Sequence, residues 1–239
     1  MSSARFVLLS LYSALLLRAA LGEGPLFHFC TSGNFTANSP YESNLNKLTS
    51  FLHTKTPPSG FALDSIGRHQ HRVYGIALCR GDVSPSVCKA CVADAGAEIQ
   101  RLCPRNKGAI MWYDDCMFKY NDTNFFRQID KANNFYLYNG NKVSDPALFN
   151  LRVTEMLTRL AKKAYSIPKL YAAGKKRVDG KTTLYGLVQC TRDLSAAECK
   201  ACLEGEIGAI PIKFSGQEGG RLGGASCNFR YETYRFFSI

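Results

Sequence analysis

Four cysteines recur at a constant offset along this chain. Cys79, Cys88, Cys91 and Cys116 return as Cys190, Cys199, Cys202 and Cys227, each 111 residues later, and both sets read C-x8-C-x2-C with a fourth Cys downstream. The flanks repeat as well. Tyr74-Gly75 matches Tyr185-Gly186, Lys89-Ala90 matches Lys200-Ala201, and Phe118-Lys119-Tyr120 matches Phe229-Arg230-Tyr231. A fixed offset across so many positions is hard to produce without duplication, so the chain reads as two tandem copies of one domain of about 100 residues.

The first copy holds two further cysteines, Cys30 and Cys103. The second has neither, and position 214, opposite Cys103, is Phe214. Their joint loss pairs them with each other. Within each copy C-x8-C can close a loop, whereas C-x2-C on one helical turn is poor geometry for a bridge. The expected bonds are Cys30 with Cys103, Cys79 with Cys88, Cys91 with Cys116, Cys190 with Cys199, and Cys202 with Cys227. Each is typically worth about 2–4 kcal/mol, a large share of the stability of so small a core. Structural zinc is the rival use of C-x2-C. A zinc ribbon places its two knuckles about 15–20 residues apart on hairpin turns, and here they lie 111 apart on expected helices.

Disulfides imply an oxidising compartment, and the N-terminus agrees. Arg5 precedes an apolar run from Phe6 to Leu17, and small residues follow at Ala19, Ala20 and Gly22. That is the layout of a secretory signal peptide over residues 1–22, and the run is too short to span a bilayer, which needs about 20 apolar residues. No integral membrane segment is expected. The sequons at Asn34 and Asn121 fit the same compartment as expected glycosylation sites. The 30 basic residues against 19 acidic give +11, falling to +9 once Arg5 and Arg18 leave with the leader. Such charge favours acidic polymers or anionic surfaces, and the compartment disfavours nucleic acid.

Each copy reads as α+β. Tyr41, Leu45, Leu48 and Leu52 fall at helical spacing, as do Phe149, Val153, Met156 and Leu160, at an offset of 108. Ser84-Pro85 and the capping box Ser195 to Glu198 open a second helix in each copy. Segments 72–78, 109–113 and 116–120, with 182–189, 221–222 and 226–236, read as strands. The expected architecture is two tandem disulfide-stapled domains, each with two helices packed on one face of an antiparallel sheet of about five strands. The expected boundaries are 23–138 and 139–239. A short polar linker, 139–145, implies that the copies pack together.

Catalytic motifs are missing from the pattern. All four histidines, His28, His53, His69 and His71, lie in copy one, which excludes a duplicated His-based active site, and neither G-x-S-x-G nor H-E-x-x-H occurs. His69-Gln70-His71 reads as a surface pair, and Asp114-Asp115 as a hairpin end. The glycines from Gly216 to Gly224 read as loop and hairpin, and Lys162-Lys163 and Lys175-Lys176-Arg177 as a solvated helix face and a loop. No enzyme, metal or cofactor is expected.

The doubled C-x8-C-x2-C, closing on Cys227-Asn228-Phe229-Arg230-Tyr231-Glu232, resembles the plant cysteine-rich repeat secretory proteins. Their unit is the ginkbilobin-homologous, or salt-stress response/antifungal, domain. The same tandem occurs in ectodomains of receptor-like kinases and plasmodesmata-located proteins, whereas membrane helix and kinase are not expected here. The resemblance implies an apoplastic defence and stress protein without catalysis. The single-domain relative ginkbilobin binds mannose through an Asn after the first Cys, an Arg six residues before the last Cys and a Glu five residues after it. Copy one has Thr31, Ile110 and Asn121 at those places, all changed. Copy two has Arg221 and Glu232. Its Asn position falls at Asn139 by the helix offset and at Lys142 by the cysteine offset, and Asn139 is preferred because the helix is the nearer landmark. Arg221, Glu232 and Asn139 are thus the expected sugar site, and fungal or plant wall carbohydrate the expected partner. A cross-strand ion pair between Arg221 and Glu232 is the plainer reading. Receptor-like kinase ectodomains or microbial effectors are the partners of a non-lectin alternative in stress or root-development signalling.

Peptide mass mapping of the secreted protein under non-reducing conditions will find five intrachain crosslinks, no free thiol and a mature start near Glu23. Free thiols or bound metal would overturn this reading.

Overall fold

A computed structural model describes residues 24–178 and 180–238; the expected signal peptide lies outside the described residues. Copy one runs β1 (Phe27–Cys30), α1 (Pro40–Lys55), β2 (Phe61–Ile66), β3 (Val73–Cys79), α2 (Pro85–Leu102), β4 (Ala109–Trp112) and β5 (Cys116–Asn121). Copy two runs β6 (Asn134–Tyr138), α3 (Pro146–Ala164), β7 (Tyr171–Arg177), β8 (Thr183–Cys190), α4 (Ala196–Gly208), the one-turn α5 (Ile210–Lys213), β9 (Gly220–Gly224) and β10 (Cys227–Glu232). The two antiparallel sheets have the same order, β1-β4-β5-β3-β2 and β6-β9-β10-β8-β7. The molecule is therefore α+β in two tandem units, as the repeat implies.

Helix starts follow local chemistry. Ser39, Ser84, Asp145 and Ser195 each cap a helix with a side-chain oxygen, and Ser195 completes its box with Glu198. One stripe of each long helix is buried: Tyr41, Leu45, Leu48 and Leu52 on α1, and Phe149, Val153, Met156 and Leu160 on α3. These stripes lie so close to the sheets that a Cβ on Gly75 would meet Leu48 at 2.7 Å, and one on Gly186 would meet Met156 at 2.5 Å. The repeated Tyr-Gly is explained by that approach.

The cysteine motif has a geometric meaning. Cys79 and Cys116 are direct partners across β3 and β5, as Cys190 and Cys227 are across β8 and β10. Disulfides Cys79–Cys88 and Cys91–Cys116 then fasten both neighbouring strands to successive positions of α2. Cys190–Cys199 and Cys202–Cys227 do the same with α4, and Cys30–Cys103 completes five. Where copy one has that last bond, copy two has two rings. Cys30 stands opposite Ala109 and Tyr138 opposite Gly220, so Tyr138 occupies the place of Cys30. Its ring meets fully buried Phe214, which stands in the place of Cys103, at 5.4 Å between centroids.

The helices cover one face of each sheet, and the opposite faces meet. Ile76, Ile110, Trp112 and Met117 of copy one bury against Phe135 and Ala225 of copy two. Trp112 packs edge-on to Phe135 at 5.2 Å, Phe27 stacks on Phe135 at 5.3 Å, and the Trp112 indole donates to Gly224 O at 3.2 Å. Phe135 fits there because Gly223 opposite it has no Cβ. Gln189 Nε2 donates to Cys79 O at 2.9 Å within this seam. The segment joining the sheets is 122–133, and Lys119 pairs with Asp130 to hold it down. Strand β6 hydrogen-bonds in the second sheet, so the expected division at 138/139 falls at its end, and the expected linker 139–145 runs inside copy two. An alternating apolar strand beside the Asn-rich stretch gave no sign of which sheet it would join.

Trp112→Ala is expected to cost about 3–5 kcal/mol in urea unfolding and to open 122–133 to protease under native conditions. Unchanged cleavage would mean the seam does not depend on the indole.

Candidate functional site

The site lies at the β6, β9 and β10 end of the second sheet, on the face turned toward copy one. Alternation along β10 sends Phe229 and Tyr231 into the helix-side core and Arg230 and Glu232 to the other face. Register places Arg230 beside Arg221. Asn139 follows the last residue of β6, and its N–H donates to Gly219 O at 2.9 Å, as Thr31 N–H donates to Gly108 O at 2.7 Å in copy one. That equivalence sets Asn139 against Thr31. Lys142 bridges Gln217 as Asn34 bridges Asn106, so Lys142 corresponds to Asn34.

Asn139, Arg221 and Glu232 line one open cleft of about 280 Å³ together with Asp114, Arg230, Tyr138 and Tyr234. The cross-strand pair between Arg221 and Glu232 is not formed. Arg221 turns across the seam, pairs with the carboxylate of Asp114 in copy one, and donates to Tyr113 O at 3.3 Å and Asp114 O at 3.4 Å. Glu232 accepts from Arg230 Nε at 3.0 Å, and Arg230 also reaches Asp114 at 3.1 Å and the Tyr234 hydroxyl at 3.1 Å. The reason lies in the duplication. Position 221 corresponds to Ile110, which faces the other copy in the seam, so its counterpart must face that seam too.

Asp114 is thus not a plain hairpin end. Arg80, Arg221 and Arg230 surround it, and Arg80 also holds Asp82 at 2.6 Å and Asp115 at 3.0 Å. Burial works to raise Asp114, but the three guanidinium groups outweigh it and hold its carboxyl below the usual range. Burial is also opposed at Asp82, which Arg80 and the Ser238 N–H keep low. Asp115 goes the other way: burial, with Asp114 and Asp82 beside it, pushes it up.

Glu232 is 7% exposed, and its Oε2 is buried without a hydrogen-bond partner. Gly219 makes room for that oxygen, since a Cβ there would lie 1.8 Å from it and 3.1 Å from the Asn139 Cβ. Tyr138 and Tyr234 flank the cleft half exposed, at 50% and 51%. Sequence reasoning missed both, along with Arg230 and Asp114. The alternation of β10 placed Arg230 with Glu232 and could have found it. Asp114 belongs to the other copy and left no local signal.

Copy one offers no such site. Ile110 is buried, and Asn121 Nδ2 faces Thr31 Oγ1 at 3.4 Å. Of the sequons, Asn34 is exposed and Asn121 partly covered. His69–His71 form a 3-10 turn. Lys175-Lys176-Arg177 end β7 and are not loop. The metal-type cluster His28, Cys30 and Cys103 has both sulfurs tied in a disulfide. Among the described residues no helix is long and apolar enough to cross a membrane.

Comparison with known proteins bears on the family and the fold. The salt stress response/antifungal family model matches residues 29–123 and 137–234. An antimicrobial ginkbilobin-2-like protein of Castanea crenata is 49% identical over 98% of this chain and 96% of its own length. Cysteine-rich repeat secretory protein 38 of Arabidopsis thaliana is 54% identical over 88% of this chain and 85% of its own. Among solved structures, the tandem DUF26 ectodomain of the Arabidopsis thaliana cysteine-rich receptor-like protein PDLP8 superposes with a TM-score of 0.78. It covers 87% of this chain and 97% of its own at 24% identity. That of PDLP5 has a TM-score of 0.71 and 26% identity, covering 87% and 98%.

Asp114 and Asp82 have lowered carboxyl values in the fold, so their stabilisation is present above the usual carboxylate range and is lost as pH falls through their folded values. Asp114→Asn should cost about 1–3 kcal/mol at pH 7 and flatten the acid limb of Tm against pH. Parallel Tm curves for the two proteins would refute the role of Asp114.

Proposed function

Starting from the fact that this chain belongs to the salt stress response/antifungal family, we propose that it is a secreted defence and stress-response protein whose second copy binds carbohydrate in the cleft of Asn139, Arg221 and Glu232. The observation that carries this reading is the Glu232 oxygen buried without a donor beside Asn139. The carboxylate of Glu232, the Asn139 amide and the Arg230 guanidinium converge on one open cleft, a set of acceptors and donors that suits the hydroxyls of a sugar. The Asn139 amide offers both a donor and an acceptor to a neighbouring hydroxyl. Tyr138 and Tyr234 add amphipathic walls of the kind that pack on a sugar ring.

Arg221 then has a different part from the one its motif position implies. Its guanidinium is engaged with Asp114, so it fixes the cleft floor and the seam, and the sugar-facing work falls to Asn139, Glu232 and the remaining N–H groups of Arg230. The compartment is extracellular, consistent with five disulfides and with relatives named as secretory. Mannose is the sugar class that the family resemblance favours, on fungal or plant walls. A second reading, a non-lectin module that engages receptor-like kinase ectodomains or effectors, is favoured by the same Arg221 clamp, which takes one expected sugar ligand out of the cleft. No step of either reading involves catalysis.

Retention on immobilised mannan separates them. The wild type is expected to be held, and Asn139→Ala with Glu232→Gln to lose at least about tenfold in affinity, or about 1.4 kcal/mol, with unchanged circular dichroism. Arg221→Ala is the wrong probe, because it removes one of the three guanidinium groups that hold Asp114 in the seam. A wild type that passes through mannan and a glycan array unretained rejects the lectin and leaves the interaction module.

A further inference from the structure

The positive charge of this protein is not spread evenly. Residues 159–181 carry eight Lys or Arg and one acid, Asp179, so most of the net +11 of the chain falls in one tenth of its length. In the fold residues 159–177 are the C-terminal end of α3, the turn after it and the edge strand β7. These lie side by side, since Arg159 Nη2 donates to Lys175 O at 3.1 Å. Arg159, Lys162, Lys163, Lys169, Lys175 and Arg177 are all exposed, and none makes an ion pair among the described residues. Lys176 is different, being paired with Glu155.

Two ordinary explanations exist, and the repeat tests both. Basic residues suit the end of a helix, and lysines on an edge strand discourage pairing with other chains. Copy one has the same helix and the same edge strand, β2. Register aligns them: Gly174 faces Gly186 as Asp64 faces Gly75, so Lys175 and Arg177 correspond to Ser65 and Gly67. By the helix offset, Arg159, Lys162 and Lys163 correspond to Phe51, Thr54 and Lys55. The matching segment 51–71 carries Lys55 and Arg68 against Asp64, with histidine counted neutral. The architecture therefore stands without the cluster, and the cluster belongs to copy two alone.

We propose that this face of copy two binds a linear carboxylated polysaccharide, a polyuronate, at a site separate from the cleft. Like charges held together at an exposed surface repel one another and raise the local concentration of a polyanion. A protein with ten oxidised cysteines works outside the cell, where the long polyanions are acidic polysaccharides. A lipid surface fits less well. Membrane-surface segments set Trp, Phe or Leu among their basic residues, and among the described residues of 159–181 the only large exposed apolar side chain is Ile167. The cleft lies at β6, β9 and β10, and β7 is the opposite edge of the same sheet.

The test is binding of the mature protein to polygalacturonate at pH 7.5, with neutral mannan and phosphatidylglycerol vesicles as further arms. Binding should weaken as salt rises from about 0.01 M to about 1 M, over which the screening length falls from about 30 Å to about 3 Å. Lys162→Gln, Lys163→Gln, Lys175→Gln and Arg177→Gln together should reduce polygalacturonate affinity at least about tenfold and leave mannan retention as it is. A charge-matched variant outside that face, Lys47→Gln, Lys89→Gln, Arg105→Gln and Lys131→Gln, should lose less than about threefold. The cleft variant Asn139→Ala with Glu232→Gln should bind polygalacturonate like wild type, whatever becomes of mannan. Equal losses in the two charge variants would reduce the effect to net charge and overturn the proposal. So would binding to vesicles without binding to polygalacturonate, or loss in the cleft variant.

Discussion

Two neighbouring strands fastened to one helix by sulfur is the constraint on which each half of this molecule rests. Because Cys79 and Cys116 are register partners, bridges to Cys88 and Cys91 fix the helix over the sheet at two adjacent points, and a slip of either strand would break both. The motif C-x8-C-x2-C is therefore a statement of register. Its recurrence in copy two guarantees the same strand order, which is why β8 and β10 lie as β3 and β5 do.

With the centre of each sheet held, the periphery is free to diverge, and it has. The outer bond Cys30–Cys103 gives way to Tyr138 against Phe214. An aromatic pair adds about 0.5–1.5 kcal/mol beyond the area it buries, less than a bridge closing so long a loop, but Phe214 also packs on Phe229 and Tyr231. The exchange has a functional side. Tyr138 leaves the last residue of β6 half exposed at the rim of the cleft, at the point where copy one has a sulfur. The basic face of α3 and β7 likewise lies on an edge where copy one, which lacks it, has the same helix and strand.

What could be read from the sequence follows from how local each signal is. The α1 and α3 stripes, the caps at Ser84 and Ser195 and the cysteine arithmetic involve residues near one another in the chain or identical at a fixed offset, and all were legible. Strand β6 was not assigned to its sheet, because Asn134 to Tyr138 bears no mark of its partner β9, some 85 residues on. Asp114 looked like a turn residue, since nothing around it in sequence announces that Arg221 and Arg230 arrive from the other copy. Arg221 and Glu232, adjacent in motif terms, looked like each other's partners for the same reason.

That last failure bears on how a motif is carried from one domain to two. A single domain would offer the position of Arg221 no second sheet within the same chain. In a tandem chain the equivalent positions, Ile110 and Arg221, look across the seam at each other's copy. One is met by apolar side chains and the other by a carboxylate. A charged group in that seam must be paired, because an unpaired buried guanidinium costs several kcal/mol, so Asp114 is as much a consequence of Arg221 as the reverse. Glu232 escapes this fate by standing two residues further along β10, where the seam opens into the cleft and one of its oxygens is left for a donor that the chain does not supply. Whether a motif residue stays free in this chain is decided by whether the neighbouring copy has already taken it, as Asp114 takes Arg221.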